Sequence, residues 1–305
     1  MANTLRKGLA ALILSAAPAL AWAADPAPLF FDDFSDADLS GLQAGGWTLR
    51  SALGHPGLKG ARWGAAQLRL LDDPAQAGNR VLRLKASTDG TAAGTAQAQL
   101  CHARKYLEGT YAARVRFSDT PVQGVDGDPV IQAFFAISPL RHDLDPEFSE
   151  VDWEYLPNGG WGSEKTRIYG ISWQTVQIEP WRAFNSMHQR EGSHDGWRVL
   201  MMQVIDGKVR LYLDGQFLGE HGGRNYPVVP MAINFNLWFS PGGLLGPQAG
   251  VRAYETDVDW VFHAKGQKLE PQQVDAAVQS LRQRGVKRLD SVPAAQPPLD
   301  SPCDM

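Results

Sequence analysis

Cysteine, excess basic charge and long hydrophobic runs are all scarce in this chain, and each scarcity closes off a class of answer. Two cysteines, Cys101 and Cys303, in 305 residues cannot build a disulfide scaffold. Whether the two pair is left open by the sequence, because Cys303 stands near the end of a proline-rich tail. A net charge of −4 gives no basic footprint for nucleic acid or an anionic membrane. Beyond the first two dozen residues no segment approaches the ~20 consecutive apolar residues of a membrane span. There is no G-x-S-x-G, no G-x-G-x-x-G opening a helix and no phosphate loop, so serine hydrolases and nucleotide enzymes have no support. His142, His188 and His194 lack ligand spacing such as H-E-x-x-H and read as loop histidines.

What is present begins with an export signal. MANTLRKGLAALILSAAPALAWAADP has a basic start at Arg6 and Lys7, an apolar run from Leu9 to Leu20 and a small-x-small site at Ala21, Trp22 and Ala23. Residues 1–23 are therefore expected to be a signal peptide, with a secreted or periplasmic mature chain starting near Ala24. No cysteine closely follows the apolar run, so no lipid anchor is expected.

The mature chain reads as short β-rich segments broken by Gly, Pro, Asn and Asp: RVLRLKAS, GTYAARVRF, VIQAFFAI, SEVDWEYL, RIYGISWQ, KVRLYLDG, MAINFNLWF and ETDVDWVF among them. No helical pattern separates successive strands, which predicts an all-β antiparallel sandwich or jelly roll over 24–264. Asp206-Gly207 is the strongest hairpin turn in the chain, and Asp214-Gly215 follows it. Residues 265–305 differ. EPQQVDAAVQSLRQRGVKRL sets Val274, Ala277, Val278 and Leu281 on one helical face, predicting a C-terminal helix docked outside the sandwich, and SVPAAQPPLDSPCDM reads as a disordered proline-rich tail.

Within SEVDWEYL, Glu150, Asp152 and Glu154 alternate with Val151, Trp153 and Tyr155, so a strand places three carboxylates on one face. A plain solvated strand face would do the same. Such faces ordinarily mix in Thr, Lys or Arg, because neighbouring like charges raise one another's pKa; three acids without a basic neighbour are a local conflict of the kind function leaves. The strand runs into the Gly-rich loop LPNGGWG, and nine of the ten tryptophans lie after Trp22. Trp161, Trp173, Trp181 and Trp238 can offer flat faces to sugar rings, although core packing is the commoner use of tryptophan. Paired carboxylates suit glycoside hydrolysis, in which one attacks and a second protonates the leaving oxygen.

The stretch EVDWE resembles the E-x-D-x-E signature of glycoside hydrolase family 16, in the form without a bulge found in its lichenase and xyloglucan branches. GTYAARVRF, HDGWRVLMMQVIDGKVRLYLDGQFLGE, PMAINFNLWF and YETDVDWVFHA resemble the family's segments in the same order, from about Phe30 to Ala264. The resemblance implies a concanavalin A-like jelly roll, with Glu150 as nucleophile, Asp152 as helper and Glu154 as acid/base. It implies that Asn236-Leu237-Trp238 lines the sugar cleft, with Trp238 as a stacking platform and Asn234 or Asn236 contacting hydroxyls. The arginine that lichenase-like members carry early in the cleft has no counterpart in AQAQLCHARK, where Gln97 and Gln99 stand instead. The family also suggests a structural calcium on the convex face, for which Asp257 and Asp259 are candidates, with Asp259 first; a solvated strand face is the other reading. No cofactor is otherwise required.

The function expected is a secreted endo-acting glycosidase, working with retention on a β-linked polysaccharide, β-glucan first and galactan-type polymers second. A monomer is expected, with no nucleic-acid or membrane partner. A carbohydrate-binding module without chemistry, and a transglycosylase using the same residues, stand as alternatives.

Overall fold

A computed structural model of the protein describes residues 27–300 and Cys303. The expected signal peptide lies outside the described residues. Two antiparallel sheets pack face to face. The outer sheet runs in spatial order Leu68–Asp72, Arg80–Thr88, Arg252–Lys265, Gly109–Phe117, Gly196–Ile205, Lys208–Leu213 and Gln216–Gly222. Leu29–Asp32 pairs with the far half of Arg252–Lys265, and Arg288–Asp290 adds beside it.

Seven strands form the other sheet: β1 (Trp47–Leu49), β2 (Ala96–His102), β3 (Val130–Ile137), β4 (Glu150–Leu156), β5 (Arg167–Gln177), β6 (Arg182–Glu191) and β7 (Ala232–Phe239). Their spatial order is β1-β2-β7-β3-β4-β5-β6. Period-2 alternation decides which face each residue takes. Val151, Trp153 and Tyr155 of β4 point between the sheets and are fully buried with Phe134, Ile168, Phe235 and Leu237, against Leu82, Leu84, Val115 and Phe117 of the outer sheet. The acids of β4 are thereby left on the opposite face.

Asp206 and Gly207 both have positive φ, 57° and 68°, and join Ile205 to Lys208 as paired residues. This is the two-residue turn whose twist matches that of the strands.

The C-terminal helix spans Pro271–Gln283 and opens with a capping box between Glu270 and Gln273, which satisfies two otherwise orphaned backbone donors. Val274, Val278 and Leu281 pack on Phe31, Ala112, Met201, Trp260 and Phe262 of the outer sheet, so the helix docks on the sandwich. Arg282 fastens it further, donating to Asp259 Oδ1 at 2.7 Å. The tail, expected to be disordered, is held at separate points over its described residues: Lys105 Nζ donates to Val292 O at 2.9 Å, Val292 is buried, and Cys303 is bonded to Cys101 with Cα atoms 5.5 Å apart.

The calcium expected at Asp259 does not fit the residues present. Asn79 Nδ2 and Arg282 Nη2 donate to Oδ1, and Arg114 Nη1 donates to Oδ2 at 2.6 Å. Asp257 is held by Arg83 through both oxygens, at 2.7 and 2.9 Å. Guanidinium groups already occupy the lone pairs and balance the charge that a hard cation would need. Among the described residues, no cluster of three or more ligating side chains is present.

Candidate active site

β4 lies between β3 and β5, and its register sets the neighbours of each acid. Glu150 sits between Ile137 and Trp173, Asp152 between Phe135 and Ile171, and Glu154 between Ala133 and Tyr169. None of these cross-strand neighbours is basic. Asp152 is 2% exposed; Trp173 Nε1 donates to its Oδ2 at 2.9 Å, while Oδ1 has no partner. An unpartnered buried carboxylate oxygen is costly when charged. Burial, then the charges of Glu154 and Glu150, push the Asp152 carboxyl well above the usual carboxylate range. Glu150 is raised likewise by burial and then by Glu154. Burial lifts Glu154 to about 7, against the opposing pull of a hydrogen bond from Trp161. The three titrate together, and their shared environment favours holding protons to higher pH than free acids would.

The loop after β4 brings Trp161 to the site. Its Nε1 donates to Glu154 Oε2 at 2.7 Å, and to reach there Trp161 adopts φ 50°, a left-handed conformation that costs a non-glycine residue about 1 kcal/mol or more. Asn158 pins the same loop by donating to Asp128 O at 3.0 Å. Trp161 is 40% exposed, and its ring lies 6.0 Å from that of Trp238, which is 6% exposed. Expected site residues Trp238, Asn236, Trp161 and Trp173 all line one cleft with the three acids, of about 680 Å³. Asn236 Oδ1 is buried without a partner, leaving an acceptor for a substrate hydroxyl. Asn234 is not in the cleft lining. It is fully buried; its amide donates to Ala232 O at 2.9 Å and accepts from Gln99 at 3.3 Å, so its polar atoms are spent internally.

Sequence reasoning missed Arg50. It follows β1, is 1% exposed, and donates to Gln99 Oε1 at 2.7 Å, Ala52 O at 3.1 Å and His55 O at 3.0 Å, with its guanidinium 4.1 Å above the Trp63 ring. The cleft's arginine comes from this strand margin and meets the glutamine at which an arginine was sought. Nothing in the composition of SALGHPG signals it.

The fold of two packed antiparallel sheets is shared with solved glycosidases. A Bacillus licheniformis beta-glucanase is similar at 16% identity and TM-score 0.55, covering 78% of this chain and 98% of its own. A family 16 endo-glucanase from Bacteroides ovatus, in complex with G4G3G-2F-DNP, matches at 16% identity and TM-score 0.53, covering 76% of this chain and 98% of its own. The kappa-carrageenase of Pseudoalteromonas carrageenovora, in complex with an oligotetrasaccharide of kappa-carrageenan, matches at 13% identity and TM-score 0.53, covering 82% and 98%. The chain has the jelly-roll fold of glycoside hydrolase family 16. No protein-family model matches its sequence, and no curated protein does. In this chain β4 presents the acids to the cleft, and residues of the loops after β1, β4 and β5 line it.

Proposed function

We propose that this protein is a secreted, endo-acting glycoside hydrolase that cleaves a β-linked polysaccharide with retention, neutral β-glucan first and galactan-type polymers second. The observation that carries the reading is the acid row itself: three carboxyls on one strand face, among apolar neighbours, with an indole N–H on Glu154 and another on Asp152. Neighbours of this fold are named for glucan and carrageenan substrates, in keeping with a polysaccharide.

Glu150 attacks the anomeric carbon as the glycosidic C–O bond breaks, and the leaving oxygen takes the proton of Glu154. Glu154, now a carboxylate, then takes a proton from water, whose oxygen attacks the same carbon and releases Glu150. A pKa near 7 suits Glu154 to give and recover a proton at neutral pH. Burial is the first cause that raises Glu150, and the charge of Glu154 adds to it; while Glu154 holds its proton that second contribution is absent. Asp152, holding its proton, presents its unpartnered Oδ1 on the strand face it shares with the nucleophile. Among the described residues the cleft lining is largely apolar, with Arg50 its one arginine and no lysine, which favours a neutral polymer over one dense in sulfate or carboxylate.

A binding module would gain nothing from three crowded acids, Asp152 buried and Glu150 and Glu154 half-buried, whose desolvation destabilises the fold, so the catalytic reading is preferred. The test is a panel of defined polysaccharides with reducing ends and product sizes followed over time. Early release of mid-sized oligomers from a neutral β-glucan is expected; release of monomers or dimers alone, or binding without cleavage, contradicts it.

A further inference from the structure

The two margins of the cleft sheet meet above it. β1 and β6 are its outermost strands, six strand spacings apart, roughly 29 Å if the sheet were flat. The loop after β1 carries His55, and the β5–β6 turn carries Trp181; their rings nonetheless stack, with centroids 5.7 Å apart and planes at 30°. Both residues line the cleft that holds the acids.

Each side of this contact is anchored. Arg50 grips the first loop through the carbonyls of Ala52 and His55, and Gly57, at φ 99°, presses so closely on Gln97 that a Cβ would lie 2.5 Å from its Oε1. Gln97 and Gln99 stand on the concave side with Trp238 and Asn236, and Asn236 is in line with Glu154. The β5–β6 turn projects from the opposite corner, beyond the Glu150 end of the row, where Trp173 pairs with Glu150. It is buttressed by Ile178 N donating to Asp143 Oδ1 at 2.9 Å and Thr175 Oγ1 donating to Asp145 O at 2.8 Å. Trp181 also meets Trp173 edge-on, with centroids 6.3 Å apart. The contact thus crosses the acid row diagonally.

We infer that His55 and Trp181 form a clasp over the acid row, which restricts the substrate to an unbranched chain that can lie beneath it. The inference rests on the glycosidase reading and adds to it the architecture of the polymer. A backbone carrying side branches, even of a single sugar, meets the clasp wherever a branch falls beneath it, whereas a bare chain passes. No hydrogen bond or ion pair joins His55 to Trp181 among the described residues, so the rings can part to admit an internal stretch and close again. Burial and the charge of Arg50 hold the His55 pKa below its ordinary value, which keeps the stacked ring uncharged at neutral pH. Trp181 is 54% exposed although its ring meets those of His55 and Trp173, which places it at the mouth of the cleft rather than in the sheet interior.

The test compares kcat/KM on a linear soluble β-glucan with that on the same backbone bearing single-glucosyl branches, for the wild type, W181A, H55A and W181F. The wild type is expected to prefer the linear polymer by about 100-fold or more, the order of discrimination steric exclusion from a shaped site supplies. W181A and H55A should each narrow that preference by about tenfold, whereas W181F, which keeps a ring on His55, should retain most of it. Equal rates on both polymers in the wild type, or an unchanged preference in both W181A and H55A, would overturn the clasp while leaving the glycosidase reading intact. Cleavage of neither polymer, nor of a linear galactan, would overturn both.

Discussion

The indole nitrogen of Trp161 donates to Oε2 of Glu154 at 2.7 Å, from a backbone conformation that tryptophan adopts only at a cost. The bond favours the ionised acid, opposing the burial that lifts Glu154 to about 7. W161F should therefore move the alkaline limb of the kcat/KM profile to higher pH, with kcat lower by about tenfold, the worth of one hydrogen bond to a charged group. A pH–rate series on an oligosaccharide, whose leaving oxygen needs the proton of Glu154, reads both effects; an unmoved alkaline limb would remove Trp161 from the proton-transfer arrangement.

The same group predicts how stability depends on pH. The folded-state value of about 7 lies above the ordinary 4.5, so between these values the native state binds more protons than the unfolded chain and stability falls as pH rises. E154Q abolishes that loss. Its advantage over the wild type should be absent below pH 4.5, grow up to about 7 and then level, reaching at most about 3 kcal/mol. Urea unfolding of both proteins across that range checks the sign.

Arg282 and Arg114 both donate to Asp259, where a calcium was expected. R282M should destabilise the fold by about 2–4 kcal/mol, short of the full cost of an orphaned buried charge because Arg114 and Asn79 remain. A chelator should leave the wild-type melting temperature unchanged. A clear fall with chelator, restored by calcium, would contradict this account of the site.

Cys101 and Cys303, 202 residues apart in sequence, are bonded. Closing so long a loop constrains the unfolded chain, so C303S should lower stability by about 2–5 kcal/mol. Equal denaturant midpoints for C303S and the oxidised wild type would show that the bridge contributes nothing.

The acid row was legible because strand alternation is a local rule: Val151, Trp153 and Tyr155 had to face one way and Glu150, Asp152 and Glu154 the other. The helix was legible for the same reason, its apolar face repeating at helical spacing from Val274 to Leu281. Relationships across long sequence distances were not. Arg50 meets Gln99, Cys101 meets Cys303 and His55 meets Trp181 only once the sheet is assembled, and no local pattern encodes those meetings. Asn234 shows the converse limit. It shares a face with Asn236 and Trp238, yet Gln99 and its own strand backbone use up its amide, and only packing reveals that. Asp259 read as an available carboxylate because its partners Asn79, Arg114 and Arg282 come from three separate segments.

The most direct test of the account is to incubate E154Q with an activated 2-deoxy-2-fluoro aryl β-oligoglucoside and take the intact mass of the protein, followed by peptide mapping. The leaving group needs no proton, and release of the intermediate lacks its base, so the account predicts one glycosyl adduct per chain, on Glu150. Turnover of that substrate with no adduct, or an adduct on another residue, would contradict the assignment of Glu150 as nucleophile.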